Sequence, residues 1–159
     1  SVMGSLPPGT PLERTGRRKG ARVKVALEGW SRAYQPLRLV ADPESLTPRA
    51  ELVRIPDGRR DVREETRDKY EARWERVRLT GWVPAKGLTR DVSEVWEAAR
   101  DLQQERCTVC HGFFPPDKLS PSGWRGTLVI MAHRASLTPE EHALLSHYLQ
   151  SNARSDGGD

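Results

Sequence analysis

The stretch Cys107-Thr108-Val109-Cys110-His111 is the most specific motif in this chain of 159 residues, and the predicted fold of the second half depends on it. Two thiols three positions apart can each form a thioether with a haem vinyl group, while the imidazole that follows reaches the iron. The chain has two cysteines, and both lie in this stretch. We therefore predict one covalent haem c, attached through Cys107 and Cys110, with His111 as an iron ligand.

Two other kinds of site contain closely spaced cysteines. A thioredoxin-type redox pair stands at the start of a helix after a strand, whereas Cys107 comes at the end of a helical pattern. A zinc site would recruit His142 and His147, but they are much farther from the cysteines than zinc fingers allow, and residues five apart on a helix point to different faces. The spacing favours haem over both alternatives.

The sixth iron ligand is expected after the motif. Met131 is favoured, because it stands at the end of an apolar segment between the motif and the last helix, and its thioether would raise the reduction potential. His133 is the alternative on the same geometric grounds. His142 and His147 are expected on the surface of the last helix.

The residues on both sides of the motif have helical patterns. Apolar residues recur at helical spacing after an Asp91 or Ser93 cap, and this helix runs into Cys107. A short helix over 124–130 would deliver Met131, and a capping box at Thr138-Pro139-Glu140-Glu141 starts a final helix. Residues 91–150 are therefore predicted to form an all-α class I-like cytochrome c domain, followed by a flexible tail at 151–159.

Other side chains of this region are expected to surround the haem. Either arginine, Arg125 or Arg134, could pair with a haem propionate. Trp124, Leu128, Leu137, Tyr148 and Phe113 are expected to form an apolar wall that excludes water from the haem edge, although each could equally be an ordinary core residue.

The first half of the chain has strand patterns. Residues 22–30 alternate apolar and polar positions and end in Gly-Trp, and residues 77–83 repeat that pattern. A hairpin tip at 16–20 precedes the first of these strands, and the densely charged residues 61–69 are expected to be a solvated excursion. Together with shorter strands at 37–40 and 50–55, the pattern predicts a small SH3-like β barrel over residues 12–90, after an extended lead-in at 1–11.

Composition limits the possible functions. The hydrophobic content of 36% favours two modest cores, and no apolar run is long enough to span a bilayer. The net charge is +4. From Cys107 onward there are four basic and five acidic residues, so the positive charge belongs to the first two-thirds of the chain. That charge is typical of an ordinary solvated surface with charges of both signs, and an acidic docking partner is the alternative interpretation. Nucleic acid is not expected as a partner.

These features together resemble the C-terminal monohaem region of the pentahaem c-type cytochromes of trimethylamine N-oxide and related S- and N-oxide respiration. The resemblance is carried by the two Gly-Trp strand modules, the motif at 107–111, Trp124-Arg125-Gly126 before Met131, and the segment 137–149. It implies a periplasmic electron carrier that exchanges electrons with a molybdenum-containing oxidoreductase or a quinol-linked cytochrome. That family has a four-haem, membrane-anchored portion ahead of this region, which this sequence lacks.

The leading expectation is therefore a monohaem electron-transfer protein that is not itself an enzyme. Two alternatives are a haem enzyme or gas sensor, which would need a displaceable sixth ligand, and an interaction module in which haem stabilises the fold. A coordinated thioether from Met131 would block access of substrates to the iron, so this ligand distinguishes electron transfer from the enzyme or sensor.

Overall fold

The structure is a computed structural model that describes residues 2–155. The described chain divides into two compact units. Unit 1 holds residues 2–6, 10–44 and 48–90, and unit 2 holds residues 7–9, 45–47 and 91–155. Of the predicted flexible tail, Ser151 ends the last helix, and residues 156–159 lie outside the described part, as does Ser1 of the predicted lead-in.

Unit 1 contains an antiparallel sheet of seven strands. They are β1 (Gly4–Ser5), β2 (Glu13–Lys19), β3 (Arg22–Arg32), β4 (Arg38–Val40), β5 (Pro48–Leu52), β6 (Arg60–Arg67) and β7 (Arg73–Pro84). Their order in the sheet is β1-β5-β4-β3-β7-β6, with β2 also paired to β3. The two long strands β3 and β7 are paired from Arg22 opposite Pro84 to Arg32 opposite Trp74.

The predicted SH3-like barrel is wrong, because the sheet is open. Among the described residues, β1 and β6 stand at opposite edges of the strand order and do not pair with each other. The two Gly-Trp pairs do not end strands either. Gly29 lies within β3 opposite Val77, and Gly81 lies within β7 opposite Val25. A Cβ atom on Gly29 would be 3.1 Å from the carbonyl oxygen of Val40, so glycine lets β4 approach β3 closely.

The charged stretch predicted to be a solvated excursion is the edge strand β6. It pairs with β7, and most of its side chains are exposed. Ion pairs join the two strands, since Arg76 Nε lies 2.9 Å from Glu64 Oε2 and Arg60 pairs with Glu75. Charged side chains on an edge strand protect it from pairing with other chains, so high charge is compatible with a strand here.

The first hairpin turns later than predicted. β2 continues to Lys19, and the turn that leads into β3 consists of Gly20 and Ala21. Gly20 has a φ of 58°, in the left-handed region that glycine adopts without steric cost. The predicted tip at 16–20 is therefore mostly strand.

The core of unit 1 lies on the β3, β4, β5 and β7 strands. Alternate residues of β3 are buried because successive side chains point to opposite faces of a sheet. The buried apolar cluster consists of Leu27, Leu39, Ala50, Val77 and Leu79.

Three helices form most of unit 2: α1 (Val92–Cys107), α2 (Pro121–Arg134) and α3 (Pro139–Ser151). Asp91 caps α1 by accepting a hydrogen bond from the Ser93 amide at 2.9 Å. The predicted capping box of α3 is confirmed, because Thr138 Oγ1 accepts from the Glu141 amide while the Glu141 carboxylate accepts from the Thr138 amide. Within the described residues, each helix is too short or too polar to cross a bilayer.

The predicted all-α cytochrome c domain over 91–150 is also wrong as a description of unit 2. Two short segments from the first half of the chain, Pro7–Gly9 and Ser45–Thr47, belong to this unit. His147 Nδ1 lies 2.6 Å from the carbonyl oxygen of Pro8, and Arg125 Nη1 donates to the carbonyl of Ser45 at 2.6 Å. The buried His147 of α3 and the half-buried Arg125 of α2 thus have partners in non-helical chain that sequence periodicity could not assign to this unit.

Candidate haem-attachment site

The end of α1 positions the cysteine motif. Cys107 is the last residue of α1, and its half-buried side chain packs against the core of unit 2. Thr108 caps the helix and donates its hydroxyl hydrogen to the carbonyl of Gln104 at 2.6 Å. Cys110 is exposed one turn later. One thiol is therefore anchored on a helix, while the other lies at the surface.

Both cysteines are free thiols. Burial raises the pKa of the Cys107 thiol above its usual value, because the thiolate would lose hydration. At neutral pH Cys107 is therefore a protonated thiol. The thiolate is the nucleophilic form of cysteine, so burial lowers the reactivity of Cys107.

His111 is exposed, and its orientation leaves one ring nitrogen available to a metal. Nδ1 lies 2.8 Å from the carbonyl oxygen of Gly112. A carbonyl oxygen can only accept, so Nδ1 carries the hydrogen in this contact. In the neutral imidazole, the lone pair is then on Nε2. Ligating histidines commonly make this kind of second bond, which holds the tautomer that binds the metal.

Two hydrogen bonds, both donated by buried side chains, hold the segment 112–116 that follows the motif. Gln103, buried on α1, donates from Nε2 to the carbonyl of Phe114 at 2.7 Å. Trp124, buried on α2, donates from Nε1 to the carbonyl of Pro116 at 2.6 Å. Gln103 was not among the predicted site residues, although it stands four positions before Cys107 and so lies on the same helix face.

Apolar side chains close to the motif in sequence, or just before Met131, are exposed. Single exposed apolar residues are ordinary on protein surfaces, but these fall in three short stretches of the predicted site. A porphyrin ring would remove such side chains from water, so their exposure fits a haem-binding surface. They are Val109 (81% exposed), Phe113 (41%), Phe114 (41%), Val129 (74%) and Ile130 (54%).

Most of the predicted haem wall instead forms the core of unit 2. Trp124, Leu128 and Tyr148 are at most 5% exposed and belong to one buried cluster, against which Leu137 packs. Phe113 alone of the predicted wall is exposed. Sequence periodicity marks these residues as apolar, but it does not distinguish a side chain that packs on a helix from one that faces a cofactor.

The candidate sixth ligands lie in different environments. Met131 is half-buried on α2, and His133 is exposed near the end of that helix. His142 is half-buried. His147, expected at the surface, is 2% exposed, and its ring lies against Trp96 with centroids 5.6 Å apart. The burial of His147 disfavours the zinc alternative, because a metal ion that it bound would also have to reach the exposed Cys110.

The metal-ligating side chains near the motif suit a cofactor that already supplies most of the ligands of its own metal ion. Within residues 2–155, no three His, Cys, Asp or Glu side chains cluster to hold a metal ion. A porphyrin supplies four nitrogens, so the chain needs to supply only axial ligands and points of covalent attachment. Two free thiols and an imidazole with Nε2 available meet that requirement.

An ion pair links the segment that carries Cys107 to the residues that follow Met131. Arg106, next to Cys107, places Nη2 3.1 Å from Glu141 Oε2 and Nη1 3.5 Å from the carbonyl oxygen of Ala135. Ala135 caps the end of α2, and Glu141 is in the first turn of α3. These contacts hold the end of α1 close to the turn between α2 and α3.

The two predicted propionate partners differ. Arg125 donates to the Ser45 carbonyl at 2.6 Å and to Gln150 Oε1 at 2.9 Å, so it already holds unit 2 together. Arg134 is exposed at the end of α2. Arg134 is therefore the better candidate for a carboxylate partner.

We expect the two thiols of the haem-free chain to react at different rates. Cys110 is exposed, whereas Cys107 is half-buried and its thiol pKa is raised. Limited treatment with iodoacetamide near pH 8 should therefore label Cys110 several-fold faster than Cys107. Peptide mass spectrometry measures the two rates, and denatured chain is the control in which the rates should converge. Equal rates in the folded chain would contradict the described position of Cys107.

Comparison with known proteins points to c-type cytochromes. The chain is 27% identical over 81 residues to the cytochrome c-type protein TorY of Haemophilus influenzae, and 28% identical over 87 residues to the TorY of Escherichia coli O157:H7. These segments cover 51% and 55% of this chain, but 22% and 24% of the relatives, so the chain spans about a quarter of their length. No family model matches the chain, and no solved structure matches it significantly. The chain is thus weakly similar to c-type cytochromes over about half its length.

Proposed function

We propose that this chain is a monohaem c-type cytochrome that transfers electrons and is not itself an enzyme. The observation that carries the proposal is the motif at 107–111 in its folded setting: two free thiols at the end of α1 and an imidazole whose Nε2 is available because Nδ1 bonds to the Gly112 carbonyl. The weak similarity to cytochrome c-type proteins supports the same assignment.

The residues take the following parts in this proposal. Cys107 and Cys110 would each hold the haem by a thioether, His111 would bind the iron through Nε2, and Met131 would be the second protein ligand of the iron, with His133 as the alternative. When bound, haem c supplies a one-electron iron couple. The exposed apolar side chains at 109, 113, 114, 129 and 130 would exclude water from its faces.

The proposal extends to compartment and partner. Haem c is attached outside the bacterial cytoplasm, so we place the mature protein in the periplasm. The resemblance to cytochromes of S- and N-oxide respiration supports a redox partner that is a molybdenum-containing oxidoreductase or a quinol-linked cytochrome.

The test of covalent attachment uses the full chain, expressed with a bacterial haem-attachment system. Acid–acetone extraction should leave the haem on the polypeptide, because thioether bonds survive conditions that release non-covalent haem. The intact mass should exceed that of the bare chain by one haem. Myoglobin treated in parallel is the control that loses its haem, and a chain that loses haem with it would disprove the proposal.

A further inference from the structure

Positive charge is concentrated at the end of the unit 1 sheet where β2 turns into β3. Lys19 stands directly opposite Arg22 in the pairing of these strands. Lys24 shares their face, because strand side chains alternate. The last residues of β7 lie at the same end of the sheet. Pro84 is paired with Arg22, and the Ala85 amide donates to the Ala21 carbonyl at 2.9 Å. We call this part of the sheet the basic end; it comprises Arg17, Arg18, Lys19, Arg22, Lys24 and Lys86. Arg18 is paired with Val23, so it lies at the same end but on the other face of the sheet.

The basic end lies where strand pairing brings together two stretches of chain that contain no acidic residues. Residues 14–27 contain no Asp or Glu, and neither do residues 79–90. These two stretches are about fifty residues apart in the sequence, but β3 and β7 bring them side by side. The sheet therefore combines two acid-free stretches into one surface of a single sign.

Arginines farther along the same sheet are neutralised, unlike those of the basic end. Arg78 Nη1 lies 2.8 Å from Glu13 Oε2, and Arg76 Nη1 lies 3.2 Å from Glu28 Oε2. Over the part of the chain that the structure describes, no carboxylate lies within ion-pairing distance of a side chain of the basic end. The field of these six charges is therefore not cancelled by carboxylates that contact them.

The arrangement works against the stability of the hairpin. Like charges directly opposite each other on paired strands repel, as Lys19 and Arg22 must. An opposing negative surface would remove this repulsion and gain attraction from all six charges. The electrostatic energy of the basic end is thus lower when an anionic surface covers it.

The composition of this surface favours an acidic protein over a lipid bilayer. The exposed large hydrophobic residues of the described chain all lie outside residues 14–27 and 79–90. A surface that enters a membrane interface usually inserts such side chains, whereas transient protein contacts of redox chains are small, hydrated and charged.

We propose that the basic end is the docking surface for an acidic patch of a partner protein. The inference rests on the proposed electron transfer only in taking that partner to be a redox protein. Six uncompensated charges would act mainly on the association rate, and salt would weaken the complex.

The binding test uses fluorescein-labelled poly-L-glutamate as the acidic probe and the full haem-loaded chain. In low salt we expect the triple variant Arg17→Glu/Lys19→Glu/Arg22→Glu to bind about tenfold more weakly than the native chain. The matched control Lys69→Glu/Lys118→Glu/Arg154→Glu changes the net charge equally at exposed positions elsewhere. It should retain most of the affinity, and an equal loss in both variants would overturn the proposal.

A single substitution separates docking from folding. Lys19→Glu replaces the repulsion with Arg22 by an attraction, so we expect the thermal midpoint to rise while binding of poly-L-glutamate weakens. A variant that is more stable yet binds less cannot owe its defect to misfolding. Unchanged binding would overturn the part assigned to Lys19.

Two further probes at the same ionic strength decide the class of partner. Vesicles that contain phosphatidylglycerol, or a DNA duplex, should bind more weakly than the acidic polypeptide, and tighter binding of either would overturn the choice of a protein partner. Haem absorbance is recorded on every sample. A chain that holds haem but does not bind the polypeptide refutes only the docking surface, whereas binding by a chain that attaches no haem refutes only the proposed function.

Discussion

The double variant Cys107→Ala/Cys110→Ala will carry no covalently attached haem. The chain has no other cysteine, so no thioether can replace those that are lost. Expressed with the same haem-attachment system as the native chain, the variant should run without haem stain on a denaturing gel. Its mass should be that of the bare polypeptide.

The control for this experiment lies in unit 1, outside the motif. Val53 is 72% exposed there, so Val53→Ala should fold normally and keep its haem. The single variants are expected to differ from the double variant, since each keeps one thioether. Haem that stays bound to the double variant after acid–acetone extraction would show that another residue attaches it.

Met131→Ala should lower the reduction potential by on the order of 100 mV, because a thioether ligand favours the reduced iron. Loss of the ligand would also open a coordination position, so the reduced variant should bind carbon monoxide while the native protein does not. Redox titration followed by absorption measures the first effect. The weak red band that methionine gives with oxidised iron should be present in the native protein and absent from the variant.

The chain offers one control for this prediction, a second methionine, and one alternative ligand, a histidine on the same helix. Met3, the other methionine, lies in unit 1, so Met3→Ala should leave the potential unchanged. His133 is exposed on the same helix as Met131 and is the alternative ligand. If His133→Ala, and not Met131→Ala, changes the potential and the spectrum, the sixth ligand is His133.

Features that depend on contiguous residues were predicted well. The capping box at 138–141 involves residues within one helical turn, and the long strand over 22–30 shows its alternation directly. The helix over 124–130 was also found, although α2 begins earlier, at Pro121. Local backbone preference and periodicity are sufficient for such elements.

Predictions that needed distant partners failed. A barrel and an open sheet can be built from the same strand patterns, and only the pairing shows that β1 and β6 remain edges. β6 looked too charged for a strand because its cross-strand partners on β7, such as Arg76 for Glu64, are not evident from its own sequence. His147 was expected at the surface because its contact with Pro8 spans 139 positions of the chain.

The residues proposed for covalent chemistry could be identified from the sequence alone. They lie in the motif at 107–111, and such reactivity depends on the side chains present and on their spacing. Only the tertiary structure shows which apolar side chains fill the core and which remain exposed, because both kinds have the same hydrophobicity. It also decided that two acid-free stretches share one surface, since charge is a property of each residue, but an electrostatic field depends on which residues the fold brings together.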